Sequence, residues 1–133
     1  MKLSKLAMVG TLATATVAGS LITAMPASAA SYGGQCGSGY SVVNSAPVGS
    51  SATMFLTYNN GYNCLVVIRN TKGSAMPMGA YLKKSSVETW TKQDTGNYTH
   101  YAGPIYLLAI DTCVDWAGKV GTAYNAEYRT NCG

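Results

Sequence analysis

The stretch Thr53-Met54-Phe55-Leu56-Thr57-Tyr58-Asn59-Asn60-Gly61-Tyr62-Asn63-Cys64-Leu65-Val66-Val67-Ile68-Arg69-Asn70 decides the fold. Asn60-Gly61 separates two runs rich in apolar and β-branched residues. An Asn-Gly loop is a strong hairpin signal, because a type I′ turn needs positive φ at both central residues. With that dipeptide at the tip, Leu56 faces Leu65 and Met54 faces Val67, while Phe55 faces Val66 on the other side. The second arm, Cys64-Leu65-Val66-Val67-Ile68, is apolar throughout. It predicts an interior strand covered on both faces.

Working outward, a period of two dominates. Tyr40–Asn44 reads as a short strand closed by Ser45-Ala46-Pro47 and the Gly49-Ser50-Ser51 turn cluster. Past Thr71-Lys72-Gly73-Ser74, strand candidates are Ala80–Lys83 and Val87–Lys92, followed by a turn at Asp94-Thr95-Gly96-Asn97. Tyr98–Ala102 alternates, Gly103-Pro104 interrupts, and Ile105–Ile110 has the composition of a buried strand. Asp111-Thr112 turns the chain into Cys113-Val114-Asp115-Trp116, and the tail from Gly118 holds one more strand before Cys132. Seven or eight short strands with frequent turn signals predict an all-β domain, a sandwich or partly closed barrel.

The amino terminus has a different character. Lys2 and Lys5 precede an uncharged, largely apolar run from Leu6 to Met25, and Pro26 leads into Ala27-Ser28-Ala29. This is the pattern of a removable export signal, cleaved after Ala29 or Ala30. Thr11, Thr14, Thr16, Ser20 and Thr23 dilute the run below what a membrane-spanning helix of ~20 apolar residues needs. Residues 1–29 are therefore read as a signal peptide and 30–133 as one secreted domain, with no transmembrane segment after processing.

Without Lys2 and Lys5 the formal charge of +4 falls to +2. That charge is scattered, whereas nucleic-acid binding needs a clustered basic face, so nucleic acid is not an expected partner. Cys36, Cys64, Cys113 and Cys132 all lie past the leader. An even count in a short exported chain is a disulfide framework. No C-x-x-C occurs and the closest pair is 19 positions apart, so neither a metal nor any other cofactor is expected. Three pairings are open. Each bridge stabilises by about 3–5 kcal/mol in the chain-entropy model whatever the pairing. Proximity in sequence favours Cys36–Cys64 with Cys113–Cys132.

Candidate chemistry is sparse. His100, the only histidine, falls in an alternating segment. A small ribonuclease needs a carboxylate base, a histidine acid and an arginine to hold phosphate. Glu88, His100 and Arg129 are the one trio available, without that family's motif spacing. A serine hydrolase would also depend on His100 but lacks Gly-x-Ser-x-Gly. Asp111 and Asp115, four apart, are the nearest thing to a glycosidase pair, and read better as turn and surface positions. No catalytic residue is assigned.

The aromatics say more. Ten tyrosines accompany one phenylalanine and two tryptophans. Tyrosine suits surfaces that are half dry, with an apolar ring and a polar tip. Tyr98 with Tyr106, or Tyr101 with Trp90, are the candidate platforms for stacking a sugar ring, against the plainer reading that Trp90 and Trp116 anchor the core.

Several strings carry a family resemblance. Cys36-Gly37-Ser38-Gly39-Tyr40, Leu56-Thr57-Tyr58-Asn59 and Asn63-Cys64 are joined by Gly79-Ala80-Tyr81-Leu82, Asp94-Thr95-Gly96-Asn97-Tyr98 and Tyr101-Ala102-Gly103-Pro104-Ile105-Tyr106. Cys113-Val114-Asp115-Trp116 and the terminal Cys132-Gly133 complete the set. Together they resemble the small spore-associated proteins of filamentous actinobacteria, the spore-associated protein A family. The resemblance implies an exported protein recovered with the spore coat or cell surface, and it implies no reaction. The expectation is a secreted, non-enzymatic surface component whose partners are spore-coat or cell-wall components. Alternatives are a module binding cell-wall or extracellular polysaccharide, and a small secreted hydrolase using His100.

Overall fold

The computed structural model describes residues 28–133, so the leader read in residues 1–29 falls outside it except for Ser28 and Ala29. Eight antiparallel strands follow in chain order: β1 (Ser41–Val48), β2 (Ala52–Asn59), β3 (Tyr62–Arg69), β4 (Met76–Lys84), β5 (Lys92–Tyr98), β6 (Tyr101–Leu108), β7 (Val114–Val120) and β8 (Ala123–Thr130). They form two four-stranded sheets, ordered β1-β2-β3-β6 and β5-β4-β7-β8. The two sheets stack as a sandwich rather than closing into a barrel.

The β2–β3 hairpin has the register expected from its turn. Leu56 pairs Leu65, Met54 pairs Val67 and Phe55 pairs Val66. Asn60 and Gly61 hold φ of 46° and 90°, the positive values a type I′ turn demands. Alternation then sorts the side chains. Met54, Leu56, Leu65 and Val67 meet Met78, Leu82, Val114 and Trp116 between the sheets. Trp116 is fully buried, and its Nε1–H donates to Thr130 Oγ1 at 2.7 Å, so the ring's polar edge is satisfied.

Phe55, Val66 and Ile68 point away from that core and form a second cluster, covered by Ala30 and Tyr32 of the amino-terminal segment. This is why β3 is apolar on both sides. A Cys36–Cys64 disulfide ties the covering segment to β3, and Cys113–Cys132 ties the start of β7 to the carboxyl terminus.

Several strand assignments differ from expectation, each for a tertiary reason. Asp94-Thr95-Gly96-Asn97 is the middle of β5, not a turn. Asp94 accepts the Gly103 N–H at 2.7 Å and the Tyr98 hydroxyl, so turn-type residues serve an edge strand whose carboxylate points inward. Val87–Lys92 is not a strand: 85–91 connect β4 to β5, and pairing starts at Lys92. The first strand runs on through Ser45-Ala46-Pro47 to Val48. It is an edge strand, where proline's missing N–H costs no ladder bond.

Gly103-Pro104 lies inside β6 and does not interrupt it. The strand bulges there opposite Leu65–Val67, and a Cβ on Gly103 (φ +86) would sit 2.7 Å from the Leu65 carbonyl oxygen. The Ile105–Ile110 segment is only half buried, since β6 is also an edge: Leu108 is 47% and Ile110 60% exposed. His100 belongs to the Thr99-His100 turn between β5 and β6, not to a strand.

Candidate functional site: two unlike aromatic faces

His100 does not meet the residues it would need. Its carbonyl oxygen accepts the Arg69 N–H at 2.8 Å, and its ring stands edge-on to Tyr101, centroids 5.2 Å apart. It lies beside the Met76 end of β4, because its neighbour Tyr98 pairs Met76. Glu88 follows the Lys84 end, and Arg129 flanks that same end through the Val114–Thr130 and Lys84–Val114 pairings. Nine strand residues separate the two ends, roughly 25–30 Å. The trio is therefore not assembled.

The two aspartates do not form a pair either. Asp111 occupies an exposed turn with φ of 51°. Asp115 is buried, 2.7 Å from Lys83 Nζ, and also accepts from Ser85 Oγ and the Arg129 N–H. Burial alone would raise its pKa. The hydrogen bonds from Lys83, Ser85 and Arg129 outweigh burial and hold the carboxyl below its ordinary value. Among the described residues no three histidine, cysteine or carboxylate side chains gather to hold a metal. A shallow depression between the β1–β2 turn and the end of β3 is lined in part by Arg69 and Asn70. Arg69 spends its guanidinium on the carbonyls of Ser74, Tyr98 and Thr99.

The predicted stacking residues fall in three places. Tyr98 points inward, its hydroxyl bonded to Asp94; that hydrogen bond, then burial and the carboxylate charge, push its pKa up. Tyr101 and Tyr106 lie on the outer face of the first sheet, opposite Ile68 and Cys64. Tyr106 donates to the Cys36 carbonyl at 2.9 Å and meets Tyr40 edge-on at 5.7 Å. Tyr32 accepts the Cys36 N–H. Burial and the neighbouring hydroxyls of Tyr106, Tyr62 and Tyr32 raise the pKa of Tyr40. These tyrosines clamp the Cys36 loop to the sheet.

Trp90 stands apart, on the outer face of the second sheet. Its ring centroid is 5.9 Å from that of Tyr81 and 5.5 Å from Lys83 Nζ, a cation–π contact. The Tyr81 ring lies along β4 over Gly79, where an added Cβ would come 2.5 Å from its hydroxyl. Across the sheet Tyr81 pairs Ala117 of β7, which pairs Ala126 of β8. Tyr124 and Tyr128 flank Ala126 on β8 and are 52% and 60% exposed. Burial first, then the hydroxyls of Tyr128 and Tyr81, raise the Tyr124 pKa.

Sequence reasoning had passed over Tyr81, Tyr124 and Tyr128. The alternation Tyr124-Asn125-Ala126-Glu127-Tyr128 carried the signal for a shared strand face. Nothing local connected it with Tyr81.

Fold and faces define a class: a small, twice disulfide-bonded antiparallel β-sandwich with one sheet covered by its own amino-terminal segment and the other open and aromatic. The chain is 48% identical over 125 residues to spore-associated protein A of Streptomyces coelicolor, across 87% of this chain and 80% of that protein. It belongs to the spore-associated protein A family. No family model matches the chain, and no solved structure matches it.

Proposed function

We propose that this protein is exported, loses residues 1–29, and acts outside the cell as a non-enzymatic structural component of the spore or cell surface. Kinship with a spore-associated protein carries the reading. Two bridges linking Cys36 to Cys64 and Cys113 to Cys132 support it, since such frameworks persist in oxidising compartments. The leader pattern in residues 1–29 points the same way. The wide separation of His100 from Glu88 and Arg129 argues against acid–base catalysis by that trio.

The test has two arms. Antibody to the domain should label intact spores or the cell surface, with the protein also recovered from culture medium. Purified protein should show no turnover of RNA, peptidoglycan, chitin or ester substrates, and His100→Ala should leave surface retention unchanged. Turnover in the wild type that disappears in His100→Ala would replace this reading with a hydrolase, because general acid–base groups contribute about 10²–10⁴-fold.

A further inference from the structure

The two outer faces differ in what they could hold. Exposed aliphatic side chains lie at the two edges of the first sheet: Val42 and Val43 on β1, Leu108 at the end of β6 and Ile110 just past it. A lipid or an apolar protein surface would be served there. The outer face of the second sheet offers aromatic rings above a floor of Gly79, Ala117 and Ala126, with the exposed Lys119 between Gly79 and Tyr124.

Tyr81 and the Tyr124–Tyr128 pair stand on strands about 10 Å apart, two strand spacings. Between them lie Ala117 of β7 and Ala126 of β8, with Lys119 two residues along β7 from Ala117. Gln93 pairs Tyr81 on the far side, adding a carboxamide beside the rings. The Lys83–Asp115 pair is internally neutralised, which leaves the exposed Lys119 ammonium on this face to donate to ligand hydroxyls.

We propose that this face binds a neutral polysaccharide with β-1,4-linked hexopyranose units. Such a chain is a flat ribbon whose axial C–H groups form an apolar surface and whose edges are lined with hydroxyls. Flat rings with polar tips complement both features: the ring face takes the C–H surface, and the phenol and carboxamide groups take the hydroxyls. Tyr81 is already held along the sheet over Gly79 and against Trp90 before any ligand arrives, which limits the ordering cost of binding. The low charge makes a polyanionic nucleic acid a poor occupant. This inference rests on the extracellular reading, since it supplies the means by which a surface protein is retained.

The experiment uses protein expressed from the complete gene and purified with both disulfides closed. Depletion from solution on microcrystalline cellulose and on chitin is measured for wild type, Tyr124→Ser/Tyr128→Ser and Trp90→Ala, with Tyr101→Ser as the control on the opposite sheet. Wild type and control should be depleted alike. The double variant and Trp90→Ala should bind at least tenfold more weakly, with thermal melting of the exposed β8 double variant unchanged. Failure of wild type to bind either polymer would overturn the proposal, and so would equal binding by wild type and the folded double variant. Preferential capture by anionic lipid vesicles would overturn it too. Purified polymers are used without spores, so loss of spore labelling with polymer binding intact would sink the surface reading alone.

Discussion

Lys83 and Asp115 are direct cross-strand partners on β4 and β7, and their side chains form a 2.7 Å ion pair that is almost wholly shielded from solvent. The lysine also donates to the Val87 carbonyl at 2.6 Å, so one buried ammonium ties the β4–β5 connection to the sheet. Breaking a buried pair by removing one partner costs about 3–5 kcal/mol, because the other charge is stranded. Asp115→Asn should therefore melt far below wild type at neutral pH.

The same pair sets an acid limb. The Asp115 pKa is lower in the folded state than in the unfolded chain. The unfolded state therefore binds its proton first, and the stabilisation is complete above the ordinary carboxylate value of about 4. It is lost as pH falls through the depressed folded value. Wild-type melting temperature should decline steeply below about pH 4, and the Asp115→Asn curve should be flatter there. Parallel curves would show that other carboxylates govern acid unfolding.

Gly61→Val should destabilise the hairpin that organises the first sheet. The substitution forces a β-branched residue to φ near 90° and drives a Cβ to 2.8 Å from Ile110 Cγ1. Backbone strain of this kind costs about 1–3 kcal/mol. In a domain of this size each kcal/mol lowers Tm by about 4–8 °C. Thermal melting beside Ser51→Ala, an exposed turn change, checks this; equal Tm values would place the turn elsewhere.

Opening the Cys36–Cys64 bridge should uncover the outer cluster. Closing its loop contributes about 3.6 kcal/mol in the chain-entropy model, and each large apolar side chain left uncovered costs up to about 1.5–3 kcal/mol more. Cys36→Ser/Cys64→Ser should lose stability and bind a hydrophobic dye over Phe55, Val66 and Ile68. Non-reduced peptide mapping of wild type should return Cys36–Cys64 and Cys113–Cys132. Native thiol titration that finds free cysteine would refute the framework.

The predicted cleavage site lies beside a ready acceptor. Ala30 N–H donates to Asn70 Oδ1 at 2.9 Å, and Asn70 is held by Thr53 Oγ1 and the Ser50 carbonyl. Cleavage after Ala29 converts that nitrogen into an α-ammonium, and hydrogen bonds to charged groups are worth about 1.5–3 kcal/mol. Intact mass of protein from the medium should show Ala30 or Ser31 as the first residue. Asn70→Ala should lower Tm more in a chain starting at Ala30 than in one starting at Ser31. A full-length species retained in membranes would refute export.

Much of the fold was legible because it is written locally. Asn60-Gly61 sets its own turn conformation, and a period of two then fixes which of Phe55 or Leu56 faces inward. The apolar run Cys64–Ile68 announced a strand covered twice, although not what covered it. The sequence by itself thus determined the strand class, the central register and the disulfide framework. Tertiary structure alone decided that Asp94–Asn97 is extended, because the Gly103 N–H and the Tyr98 hydroxyl give the Asp94 carboxylate partners worth more than a turn. It also decided the open face. Tyr81 and Tyr124 become neighbours through β7, which inserts between β4 and β8, and that strand order follows from packing two sheets around Trp116. Periodicity tells a residue which side of its strand it occupies. Which strand lies next to it is set by burial of the whole core.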